Sequence, residues 1–237
     1  MSDINNNVQI EGREERPIAD MSPLTFDERY ATRILLVRHG QSLGNAVRRF
    51  LGHTDLDLSE LGYVQAQRTA DFLADVTVSA VYSSPLIRAM NTAAPHAKMR
   101  GLDVIPACEL KEMHAGEWEN LYVSEIIERF GDMYHGPWTK DFGVFTIPGG
   151  EPCEAVANRF YGKILDIARA HQGQTVIVAA HAAAIRCFWG KLAGLDPKDL
   201  AAAYPFPQNA SVSVVYFDGE SISAGEYSHD KHLLDIV

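Results

Sequence analysis

Cysteine is scarce. Cys108, Cys153 and Cys187 are the only three in 237 residues, and no C-x-x-C pair occurs. That pattern excludes a disulfide-stapled framework or a structural zinc site, and the three are expected to be reduced and structural. Positive charge is also in deficit: 21 Lys and Arg against 31 Asp and Glu give a formal net charge of −10. A broad nucleic-acid surface needs a clustered basic face, so a nucleic-acid partner is not expected. No run approaches the roughly eighteen uninterrupted apolar residues of a membrane span. The first residues, MSDINNNVQIEGREERP, do not place a basic segment before an apolar one, as a secretory leader would. A cytoplasmic protein without a membrane partner is therefore expected. H-E-x-x-H spacing and a carboxylate cluster around the histidines are both absent, so no metal site is expected. Internal repeats and low-complexity linkers are missing too.

What remains is ordinary globular composition, 46% hydrophobic, enough for a sizeable core. Residues 1–30 lack apolar periodicity and read as a polar, mobile arm. From Arg33 the texture changes. RILLV is a continuous apolar run of the kind a strand buried on both faces shows. SELGYVQAQRTADFLADV has Ser59 placed as an N-cap ahead of a helical apolar stripe. VSAVYSS, DVIPA and QTVIVAA read as further strands. LIRAMNTAAPHAKM, CEAVANRFYGKILDIARAH and AAAIRCFWGKLAG read as helices, the first kinked at Pro95. SVSVVYFDG and SISAGEY form a hairpin turning at Asp218–Gly219. Strands alternating with helices predict a three-layer α/β/α sandwich with a mostly parallel central sheet, in a single domain over 31–237.

In such a sheet ligands gather outside the carboxyl ends of the strands. Three predicted strands lead at once into cationic or titratable residues: ILLV into Arg38–His39–Gly40, AVYSS through Pro85 to Arg88, and TVIVAA into His181. Two arginines and two histidines converging in an acidic protein call for an anion among them. A phosphoryl group fits best. Arginine offers a planar fork to phosphate oxygens, glycine at position 40 admits close backbone approach, and a neutral imidazole is a competent nucleophile toward phosphorus.

RHG at 38–40 with Asn45 five residues after Gly40, SSPLIRAMNTA at 83–93, LKEMHAGEWE at 110–119 and His181 after an apolar strand together resemble the histidine phosphatase superfamily, the phosphoglycerate mutase-like enzymes. The similarity runs from about Arg33 to Phe217. The resemblance implies that His39 is the nucleophile of a phosphohistidine intermediate and that Arg38, Arg88 and His181 hold the phosphoryl oxygens. Asn45 and the N–H of Ala182 would add phosphate contacts. Glu112 would be the acid that protonates the departing oxygen, with Glu117 and Glu119 as nearby alternatives. No metal, nucleotide or other cofactor is implied, and the expected partner is a small phosphorylated substrate, with a homodimer left open. Ala182 and Ala183 stand where glycine is usual, which implies an altered fit. HAGEWEN resembles the phosphatase branch more than the mutases, so hydrolysis is expected over phosphoryl transfer or a non-catalytic phosphate-binding role. Residues 120–150 sit where relatives place a substrate-covering insertion. Their aromatics, Tyr134, Trp138, Phe142 and Phe145, serve either to anchor that loop or to touch substrate. Among the remaining histidines, His114 and His232 are candidates for the rim.

Overall fold

The structure, a computed structural model, describes residues 19–236. Every apolar run read as a strand becomes one. The first half of the chain forms β1 (Thr32–Arg38), α1 (Leu43–Ala46), α2 (Glu60–Phe72), β2 (Ala80–Ser83), α3 (Ile87–Arg100), β3 (Val104–Pro106) and α4 (Val123–Met133). The second half forms α5 (Cys153–Ala170), β4 (Thr175–Ala180), α6 (Ala182–Leu192), α7 (Leu200–Ala203), β5 (Val212–Phe217) and β6 (Ile222–Ala224). The six strands lie in the order β3-β2-β4-β1-β5-β6. The first four are mutually parallel, whereas β5 is antiparallel to both β1 and β6. The β5–β6 hairpin turns at Asp218–Gly219, where Asp218 N–H donates to the Ser221 carbonyl and Gly219 takes φ of 105°.

Alternation along the strands explains why their sequences are apolar throughout. Leu35 and Val37 of β1 and Ile177 and Ala179 of β4 pack with Phe72, Ala89 and Ala93, on the α2–α3 side. Ile34, Leu36, Val176 and Val178 face the other way, into a core with Val156, Phe160, Ile164, Ile185 and Phe188 of α5 and α6. Each fully buried side chain of this size contributes about 1.5–3 kcal/mol. The result is the expected three layers. Among the described residues no helix is long and apolar enough to cross a membrane.

Some local expectations change. Helix α3 continues through Pro95 without a break and ends at Gly101, in the left-handed region at φ of 65°. Of the arm expected over 1–30, residues 1–18 lie outside the described residues. The described part is docked: Leu24 is buried, Tyr30 stacks on Tyr216 with ring centres 4.9 Å apart, and Asp27 N–H donates to the Tyr216 hydroxyl. The three cysteines are free, with Cys153 and Cys187 buried between α5 and α6 and Cys108 exposed. In segment 120–150, Trp138 and Phe142 are buried in the larger core, and Tyr134, Trp138 and Phe145 surround the fully buried Trp118.

Two glycines bring β1's exit loop onto the first turn of α2. A Cβ on Gly40 would lie 2.4 Å from the Gly62 carbonyl oxygen, and one on Gly62 would lie 2.0 Å from the Gln41 carbonyl oxygen. Gly40 is thus required by backbone packing within the protein. Gly62→Ala is expected to cost about 1–3 kcal/mol through overpacking against backbone that cannot give. Gly162→Ala, in the exposed face of α5 with no atom within 4 Å of the new Cβ, should instead stabilise by about 0.5–1 kcal/mol. Thermal unfolding of both variants tests the pair of opposite signs.

Candidate active site

The parallel register of β1 and β4 sets Arg38 opposite Ala180. The next residue of each strand, His39 and His181, therefore emerges side by side, with ring centres 5.2 Å apart. Arg88 reaches the same place from the first turn of α3. A cavity of about 300 Å³ opens here, and Arg38, His39, Asn45, Arg88, Glu112 and Ala182 all line it. The structure thus brings together the residues that the resemblance assigns to nucleophile, acid and phosphate contacts, with one difference. His181 is fully buried and is not part of the cavity wall. Its Nε2 bonds the Ser84 hydroxyl at 2.7 Å, and its Nδ1 has no partner.

His39 Nδ1 lies 2.7 Å from the Gly40 carbonyl oxygen. A carbonyl only accepts, so Nδ1 carries the proton and Nε2 is left with its lone pair. Burial, reinforced by the positive charges of Arg88 and Arg38, holds the imidazole well below its usual 6.5. It is neutral at physiological pH. His181 is displaced in the same direction, by burial and by Arg88.

Both strand-end arginines remain charged. Burial pushes Arg38 down to about 10, with Glu112 opposing. Arg38 Nη1 donates to the Pro207 carbonyl, and Arg88 donates to the carbonyls of Thr54 and Gly52 at 2.9 and 2.8 Å. Each keeps a buried Nε–H with no partner. Asn45 Oδ1 accepts from the Ser42 N–H and hydroxyl at 3.1 and 2.9 Å, which leaves its NH₂ as the free end of the amide.

Glu112 is anchored through both its carboxylate and its backbone. The carboxylate accepts the N–H groups of Met113, Ala183 and Ala184 at 2.9, 3.2 and 2.9 Å. Two of the first three N–H groups of α6 are therefore spent on Glu112, and Ala182, the first residue of the helix, lies in the cavity wall. The Glu112 carbonyl accepts from His53 Nε2 and Arg159 Nη2 at 2.7 and 2.9 Å. Its two sequence rivals do other things. Glu117 is exposed and lines no part of the cavity. Glu119 accepts from the N–H groups of His53, Thr54 and Ala115 and from the Thr54 hydroxyl. It holds the loop whose carbonyls grip Arg88. Burial alone would raise the Glu119 carboxyl, but these donors hold it below its usual range.

His114 lies outside the cavity against His53, and His232 is buried, stacked on Phe72 with ring centres 4.3 Å apart. Sequence reasoning missed Arg49, Leu51, Met113 and Phe206, all in the cavity wall, and marked Trp138 as one of four aromatics with two alternative roles. Arg49 carries no strand-end signature, and its neighbour Arg48 is an equally basic residue that turns outward.

Comparison with known proteins agrees with this geometry. The family described as the histidine phosphatase superfamily (branch 1) matches residues 34–229. Phosphoserine phosphatase 1 of Hydrogenobacter thermophilus is 33% identical over 187 residues, 78% of this chain and 87% of that one. The metal-independent phosphoserine phosphatase of Arabidopsis thaliana is 32% identical over 211 residues, 88% of this chain and 86% of that one. Among solved structures, the mycobacterial glucosyl-3-phosphoglycerate phosphatase complexed with VO3 superposes with a TM-score of 0.74 at 28% identity, covering 81% of this chain and 95% of that one.

A consequence for stability follows from the buried histidines. His39 and His181 are held well below 6.5, and burial lowers His96 to about 3 and His232 to about 4. Unfolding exposes these rings to water, where they bind protons below about 6.5. The unfolded chain then holds more protons than the folded one, so stability falls as pH drops, by up to about 1.4 kcal/mol per pH unit for each such ring. Glu119 and Glu151, both lowered, act in the same sense but only below about pH 5. Urea midpoints are expected to fall between pH 7 and pH 5, and a flat profile there would contradict the burial of neutral imidazoles.

Proposed function

Because this chain belongs to branch 1 of the histidine phosphatase superfamily and is a phosphatase, we propose that it hydrolyses a small phosphomonoester, without metal, through a phosphohistidine at His39. The observation that carries this reading is the bond from His39 Nδ1 to the Gly40 carbonyl. It leaves Nε2 as an unprotonated nucleophile in a wall that also carries three guanidinium groups.

In the first step His39 Nε2 forms a bond to phosphorus as the bond to the ester oxygen breaks. That oxygen leaves with the electron pair and takes a proton from Glu112. The charge on the transferring oxygens is met by the unspent Nε–H groups of Arg38 and Arg88, the Asn45 amide and the Ala182 N–H. His181 stands behind this cradle as a neighbour of the nucleophile, supported by Ser84. In the second step Glu112, now a carboxylate, takes a proton from water as the water oxygen attacks phosphorus. Phosphate departs and neutral His39 is restored. The three free thiols support a reducing, cytoplasmic setting.

Rapid quenching of the enzyme with a radiolabelled phosphomonoester, in EDTA throughout, should trap a base-stable, acid-labile phosphoenzyme that His39→Ala does not form. Label that survives acid would overturn the nucleophile, and a requirement for added divalent ion would overturn metal independence.

Glu112→Gln should lower kcat/KM for an alkyl phosphate by about 10²- to 10⁴-fold, the usual worth of a general acid. With p-nitrophenyl phosphate, whose phenolate leaves without a proton, the loss should be far smaller. kcat/KM reports steps up to the first irreversible one, so it excludes slowed hydrolysis of the intermediate. Equal losses on both esters would show that another group supplies the proton.

A further inference from the structure

Two buried nucleophiles lie outside the catalytic cavity. Cys153 is the first residue of α5 and Cys187 lies in the middle of α6, 34 positions further on, yet their Sγ atoms are 2.7 Å apart. A disulfide bond is about 2.05 Å long, so each sulfur needs to move only about 0.3 Å to form one. Both thiols are free, and they are 6% and 1% exposed. They are not sealed in, because both line a second cavity of about 310 Å³ that shares no lining residue with the catalytic one. A small oxidant entering that cavity meets both sulfurs. Cys108 provides the contrast, being exposed and without a sulfur partner among the described residues. The pair also joins the two helices that hold Glu112. Helix α6 holds its carboxylate through the N–H groups of Ala183 and Ala184, one turn before Cys187, and α5 holds its carbonyl through Arg159 Nη2.

We infer that Cys153 and Cys187 form a modification site, a dithiol that closes to a disulfide when a peroxide enters the second cavity and so locks α5 to α6. Attack on the peroxide falls to Cys153. Its sulfur sits at the positive end of the α5 dipole, where the negative charge of a reacting thiolate is favoured, whereas burial pushes the Cys187 thiol well above its usual range. The Cys153 sulfur bonds to one peroxide oxygen as the O–O bond breaks. The other oxygen leaves with the electron pair and, with the thiol proton, becomes water. The Cys187 sulfur then attacks the Cys153 sulfenic acid, the S–S bond forms as the S–O bond breaks, and the departing hydroxide takes the Cys187 proton to leave as a second water. The dithiol has lost two electrons and two protons, and the peroxide has been reduced to two waters. With the second sulfur 2.7 Å away, closure outruns further oxidation of the sulfenic acid. In a reducing setting the dithiol is the resting state.

The test treats the full chain, as wild type, Cys108→Ser and Cys187→Ala, with hydrogen peroxide, removes the excess with catalase, unfolds the protein in an alkylating reagent and maps the cysteines by mass spectrometry. In wild type and Cys108→Ser, Cys153 and Cys187 should escape alkylation and appear in one peptide pair that dithiothreitol separates. The thermal midpoint of both proteins should rise by about 5–15 °C on oxidation, the effect of a cross-link closing a loop of this length, and fall back with dithiothreitol. Cys187→Ala should carry sulfinic or sulfonic acid on Cys153 and show no rise relative to its own reduced form, so that any stability lost to the substitution cancels. Alkylation of both thiols in peroxide-treated wild type, sulfinic acid on Cys153 in place of the cross-link, or a cross-link through Cys108 would each overturn the inference. A Cys153–Cys187 cross-link that leaves the midpoint unchanged or lowers it overturns the locking of α5 to α6.

Discussion

The parallel pairing of β1 with β4 is the constraint from which the rest of the site follows. With Arg38 opposite Ala180, the residues that end the two strands are neighbours, and a shift of one residue would turn every buried side chain of β1 to the opposite face. The cores on both faces of the sheet hold that register. The same register places the start of α6 beside His39, and the first turn of α6 in turn fixes Glu112. His39, His181 and Glu112 are thus brought together by one strand pairing.

Around that pairing the site is built by handing positive charge from carbonyl to carbonyl. Arg88 is gripped by the carbonyls of Gly52 and Thr54, and their loop is held by the Glu119 carboxylate. Arg38 is gripped by the Pro207 carbonyl. These contacts satisfy part of each guanidinium and leave an Nε–H unpaired. Such a donor is costly in the free protein, and it becomes useful when an anion arrives. An overall charge of −10 is compatible with an anionic substrate because three arginines and one glutamate line the cavity, so the local field opposes the global one.

Several residues work differently from what their type first implies. Gly40 serves the close contact with α2, and by fixing its own carbonyl it fixes the His39 tautomer. The N-terminus of α6 spends the N–H groups of Ala183 and Ala184 on a carboxylate of the protein itself, and because only backbone is used these contacts tolerate alanine side chains. In the aromatic segment over 120–150, Trp138 packs against Trp118 and also lines the cavity.

The alternation of buried strands and helices, the strand-end positions of Arg38, His39 and His181, and the family resemblance could all be read from residue order. They depend on local periodicity and on neighbours in the chain, and those survive in a linear string. The different surroundings of Glu112, Glu117 and Glu119 were decided only by folding. Three carboxylates within eight residues look alike until one meets the start of α6, one meets the loop at 52–54 and one meets solvent. The same holds for the burial of His181 and for Arg49, whose difference from Arg48 arises from Tyr122 and Asn120, more than seventy positions away. Hydrogen bonds of that span are set by the docking of whole elements, and no local pattern encodes them.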